Sequence, residues 1–216
     1  FCCLIVVVVV VVVCDFIIRR RTTGEITVSN FQKDTGDMIT PRIIISRICS
    51  RGYSSRSTSS LIDTSNLKDL KVLEDLHVES DAITKSEHET LIKECERSLR
   101  RRRYETGHWD GVIESFREIT KRDWTDESRK VFERLIESDA VSKLGLNEFL
   151  PPHVLDLSKD GFIKPHIDSI IASGQMVAGI SLLSPAIMVL SRDSESIRIL
   201  LPPRSFYVRG VRSLNR

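Results

Sequence analysis

Apolar positions recur at two different spacings along this chain, and the change comes at Pro151-Pro152. Before the prolines, Leu91, Ile92, Cys95 and Leu99 return at helical intervals behind Ser86-x-x-Glu89, which reads as a capping box. A second helix is predicted from Thr125. Asp126 and Glu127 suit the dipole of its first turn, and Val131, Phe132, Leu135 and Ile136 form its apolar stripe. After the prolines come short apolar runs: HVLDL, GFIKPHI, MVAGISLL, IMVL, IRILL and SFYVR. Turn residues separate them at Lys159-Asp160-Gly161, Ser173-Gly174, Ser184-Pro185 and Pro202-Pro203. Short strands at near-regular spacing predict a barrel or jelly roll, and helices ahead of antiparallel strands make the class α+β. Trp109 and Trp124 are expected to pack in the core or dock a helix.

The first sixty residues follow neither pattern. Phe1 to Cys14 is an unbroken apolar run with eight consecutive valines, short of the roughly 20 residues a membrane span needs. Asp15 interrupts it, and no basic region precedes it. Residues 1–37 are therefore expected to be low-complexity read-through outside the folded part, with a short anchor as the alternative. From Met38 to Ser60 there are four arginines (Arg42, Arg47, Arg51, Arg56), many serines and no acid. That composition predicts a mitochondrial transit peptide over 38–60, drawn to an anionic surface and a negative-inside potential. Arg51-Gly52-Tyr53-Ser54 resembles a matrix processing site cut after Tyr53.

Charge narrows the classes. The 216 residues carry a net +2. Residues 1–60 hold eight basic and four acidic side chains, leaving 24 and 26 for residues 61–216. The expected domain is thus slightly acidic, which argues against a broad nucleic-acid groove. Arg100-Arg101-Arg102-Arg103 could touch phosphates, with Tyr104, His108 and Trp109 to stack bases, but a solvated helix end accounts for it better. Of five cysteines only Cys95 lies past residue 60, so there is no disulfide framework and no zinc-finger spacing.

The run GFIKPHIDSI holds the candidate chemistry. His166 and Asp168 are two apart, so on an extended strand both leave the same face. An imidazole and a carboxylate so placed supply two of the three ligands in the facial triad of non-haem iron enzymes. Alone, the pair is a weak motif, and a hydrogen-bonded structural pair would read the same way.

Longer stretches sharpen it. RRRRYETGHWDGVIESFRE, HVLDLSKDGFIKPHIDSI, AGISLLSP and SFYVRG resemble the AlkB-type 2-oxoglutarate/Fe(II) dioxygenases, nearest to their mitochondrial branch. The resemblance implies a double-stranded β-helix over 61–216, with His166 and Asp168 as iron ligands and Tyr207 contacting 2-oxoglutarate. It implies Fe(II) as the metal and 2-oxoglutarate and oxygen as cosubstrates. It further implies oxidation of a C–H bond, with an N-methyl group leaving as formaldehyde, and a monomer in the mitochondrial matrix without stable membrane insertion. A protein side chain and a mitochondrial RNA are both expected as substrate classes, with links to fatty-acid metabolism and regulated necrosis. The Asn-x-Tyr of the nucleic-acid repair members corresponds here to Leu155 and Leu157, which points away from those members. The family's third ligand is a distal histidine, and no histidine follows His166. The expectations are a C-terminally incomplete jelly roll, or a non-catalytic interaction scaffold on the same fold.

Overall fold

The computed structural model describes residues 6–13, 42–47, 61–68, 73–142, 149–166 and 176–210. Eleven strands and three helices lie within them. In chain order they are β1 (Val6–Val13), β2 (Arg42–Arg47), β3 (Ile62–Asn66), β4 (Leu76–Glu79), α1 (Lys85–Leu99), β5 (Glu105–Gly107), β6 (Ile113–Thr120), α2 (Asp126–Ile136) and α3 (Asp139–Ser142). Then come β7 (His153–His166), β8 (Met176–Ser181), β9 (Ala186–Arg192), β10 (Glu195–Leu201) and β11 (Phe206–Gly210). The fold is α+β and sheet-rich, with antiparallel pairing consistent with the jelly roll of a dioxygenase.

The sheet order is β3-β10-β9-β2-β7-β1-β8-β11-β4, with β5 and β6 branching from β7. Strand β7 is the hub: it pairs with β6, with β1 at its start and with β2 at its end. Two strands thus come from residues expected to lie outside the folded part. β1 bridges β7 to β8, and β2 bridges β7 to β9.

Period-two alternation divides the core in two. Met176, Ala178 and Ile180 of β8, Phe206 and Val208 of β11 and Val154 of β7 meet the helices. Val177, Tyr207, Leu155, Leu157 and Phe116 face the opposite way, into the sheet's interior with Met188, Ile197 and Ile199. Helix α1 begins two residues before the expected box: Thr84 is its N-cap, and Glu87 closes the capping box. Both Thr-x-x-Glu and Ser-x-x-Glu are present, and only the first meets the chain where it is still extended. Helix α2 starts after Thr125 as expected, and Val131, Phe132 and Leu135 are buried. Its N-terminus is held by a buried carboxylate on α1: Glu94 accepts from Thr125 N–H and from the Thr125 and Ser128 hydroxyls.

The turn expected at Lys159-Asp160-Gly161 is instead a bulge inside one 14-residue strand. Glu114 and Phe116 of β6 oppose Phe162 and Leu157 of β7, so β7 carries extra residues there. Ser115 takes a positive φ of 52° opposite them. A Cβ at Gly161 would come within 2.4 Å of the Ser115 carbonyl oxygen, so only glycine permits this approach.

Candidate functional site

A second irregularity sets the candidate ligand. His166 pairs with position 43 of β2 and Ile163 with position 45. Three residues on β7 therefore span two on β2, and directly paired residues share a face. His166 is thereby returned to the interior face that carries Ile163, which strict alternation would deny it. The ring is half-buried, with Nδ1 2.9 Å from the Lys164 carbonyl. That carbonyl can only accept, so Nδ1 carries the proton and Nε2 the lone pair, the tautomer a metal requires.

Tyr207 is 3% exposed on β11, inside the sheet. Its partner across the ladder is Gly179. A Cβ there would lie 2.6 to 2.8 Å from the tyrosine ring and hydroxyl, so the glycine makes room for the phenol. Arg209 is two positions further along β11, on the same face, and is also buried. Sequence reasoning passed over Arg209. Its signal was alternation in SFYVRG, which puts a cation on the tyrosine's side. Strands β1 and β8 separate β7 from β11 in the sheet. Asp168 lies outside the described residues. Among the described residues no three His, Cys, Asp or Glu are grouped to hold a metal ion.

A polar cluster that the sequence did not reveal lines the interior next to His166. Glu118 and Thr120 of β6 share the inner face of Phe116, opposite Leu155 and His153. His153 Nε2 is 2.8 Å from Glu118, and His108 Nε2 is 3.4 Å from its other oxygen. His108 Nδ1 lies 2.8 Å from Asp110, which also accepts from Val112 N–H at 2.9 Å. The hydrogen bond from His153 is the main cause that holds the Glu118 carboxyl below its ordinary range, against partial burial. Burial pushes Asp110 up, but the hydrogen bonds from Val112 N–H and His108 outweigh it and hold the carboxyl low.

The remaining expectations fall as follows. Leu155 and Leu157 are buried and apolar. His77 pairs weakly with Glu79, and His88 Nε2 meets the Leu182 carbonyl, so neither belongs to the interior cluster. Cys95 is free and buried, and burial pushes its thiol up to about 12. Arg100 caps α1 at its C-terminus, and Arg101, Arg102 and Arg103 are exposed. Trp124 is buried, donates to the Lys121 carbonyl at 2.9 Å and meets Phe132 edge-on. Trp109 departs from expectation: it is 90% exposed, because it sits in the turn of the β5–β6 hairpin rather than on a helix.

No family model matches the chain. Among curated proteins it is similar to "Alpha-ketoglutarate-dependent dioxygenase alkB homolog 7, mitochondrial" of Mus musculus, 42% identical over 131 residues. That match covers 58% of this chain and 58% of the relative. The Bos taurus protein of the same name is 43% identical over 129 residues, again 58% of each. The match thus spans less than two thirds of either relative's length.

Proposed function

With an AlkB-type sequence over more than half of the chain as the premise, we propose that this protein is a mitochondrial 2-oxoglutarate-dependent dioxygenase. The observation that carries the reading is the shared interior face of His166, Tyr207 and Arg209. A carboxylic cosubstrate needs a buried cation and a hydroxyl donor, and Arg209 and Tyr207 supply both. The imidazole and carboxylate of His166 and Asp168 suit Fe(II), and the lone pair on His166 Nε2 fits that role. When bound, Fe(II) would supply oxygen activation coupled to decarboxylation of 2-oxoglutarate to succinate. The chain's own part is to hold, orient and shield. Lys164 fixes the His166 tautomer through its carbonyl. Gly179 keeps Tyr207 upright, and Leu155, Leu157 and Phe116 exclude water from the interior.

The oxidised group is a C–H bond of a macromolecule, a protein side chain or a mitochondrial RNA, and an N-methyl carbon would leave as formaldehyde. We place the activity in the matrix on the composition of residues 38–60, whose arginines and serines without acid suit import; strand β2 lies in that segment and pairs with β7 and β9, so in this reading it stays with the folded chain. Ties to fatty-acid metabolism and regulated necrosis belong to the same reading. The test is succinate release from 2-oxoglutarate by purified protein with Fe(II) and oxygen. Release that is lost in His166→Ala and Tyr207→Phe supports the oxygenase. No release from the protein isolated from its own tissue removes it in favour of a non-catalytic scaffold.

A further inference from the structure

Trp109 has a position that packing does not explain. Trp124 is sheltered and hydrogen-bonded, whereas Trp109 leaves nearly its whole surface in water. It is not on a loose loop. Gly111 N–H donates to the His108 carbonyl at 2.8 Å and closes a tight turn around Trp109 and Asp110. Gly111 takes a φ of +72°, which glycine adopts without strain. Asp110 braces the turn from inside, and the His108 ring lies 5.4 Å from the indole.

That turn is fastened beside the candidate metal site. Lys164 N–H donates to the Val112 carbonyl at 2.9 Å, and Ile113 pairs with Ile163. His166 follows two residues after Lys164. The hairpin is also acidic: from Glu105 to Glu114 it holds three carboxylates and neither lysine nor arginine, although Lys164 of β7 pairs with Glu114. A bare indole among carboxylates attracts cations and repels phosphates.

We propose that Trp109, with Asp110 beside it, receives a cationic side chain of a protein substrate at the mouth of the His166 site. The word substrate rests on the dioxygenase reading; the receptor itself does not. Held there, an ammonium or guanidinium would present its carbon chain towards the interior face.

The test uses the full chain without iron or 2-oxoglutarate, and a fluorescein-labelled dodecapeptide of alternating lysine and glycine read by anisotropy. Saturable binding is expected, weakened about fivefold in Trp109→Ala and less in Trp109→Phe, as an exposed cation–π contact implies. Asp110→Asn should weaken it further and flatten its salt dependence. Because Trp109 is exposed, Trp109→Ala should keep the parent's circular dichroism and melting temperature. Equal binding by wild type and Trp109→Ala overturns the proposal. So does an oligouridylate that displaces the peptide and itself depends on Trp109, since that marks a base-stacking surface. Peptide binding through Trp109 in a protein that releases no succinate leaves the receptor standing and removes the oxygenase.

Discussion

At its start, β7 is closed on both faces. Val154 and Asp156 meet the helical layer and Leu155 and Leu157 the interior. On the helical side Asp156 is fully buried, with Arg117 Nε at 2.7 Å and the Tyr104 hydroxyl at 3.0 Å. Arg117 in turn lies over the Tyr104 ring, its guanidinium carbon 4.8 Å from the centroid. At the other end of the same strand Phe162 and Pro165 are exposed and His166 is half-buried. There the nearby carboxylate, Asp110, faces His108 rather than arginine. The two ends differ because of the bulge between them. It frees the far end from the β6 register and turns a packed strand into the rim of a site. A buried charge with fixed partners serves the scaffold; half-exposed, titratable groups can exchange partners with a ligand.

The largest way to break this contrast is Arg117→Ala. It strands a buried carboxylate and should cost about 3–5 kcal/mol in urea unfolding. Gly179→Ala comes next. Its methyl group would collide with Tyr207, costing about 1–3 kcal/mol as an overpacked core. Affinity for 2-oxoglutarate, read by calorimetry, should fall with it, and unchanged affinity would separate Tyr207 from the cosubstrate.

Acid titration sharpens the comparison, because the two carboxylates beside the start of β7, one towards each face, shift in opposite directions. Glu118 is held below its ordinary 4.5 in the folded state. Its contribution is therefore present above that value and is lost as pH falls through the folded one. Burial raises Asp156 above its ordinary 3.8 in spite of Arg117 and Tyr104. The folded state thus takes up that proton first, and this part of the stability grows as pH falls through the raised value. Unfolding free energies between pH 7 and 3 should fall less steeply in Glu118→Gln than in the parent. In Asp156→Asn they should fall more steeply. The smallest expected effect on stability is His166→Ala, within about 0.5 kcal/mol for a half-exposed side chain. Fe(II) binding, followed by the protein's tryptophan emission, should nevertheless be lost.

Local pattern was enough for much of this molecule. Helix α2 from Thr125 and strands β8 to β11 follow from spacing and turn residues, because those signals act within a few residues. Strand β6 was not legible, since the apolar residues of IESFREIT (Ile113, Phe116, Ile119) do not follow a strand's period of two, and its partners come from β5 and β7. Trp109 was misread for a related reason: composition ranks tryptophan as core, and only the hairpin's place in the sheet exposes it.

The sequence by itself determined the chemistry available: a His-x-Asp pair, a tyrosine and an arginine in alternation, an acidic stretch bearing a tryptophan, and likeness to AlkB-type relatives. Tertiary structure alone decided which of these share a face. Two bulges in β7, each set by a partner strand far away in the chain, shift the alternation by whole residues. Because side chains alternate at every step, such shifts move a histidine from one side of a sheet to the other. No local signal in β7 records that choice, since it is made by the strands that pair with it.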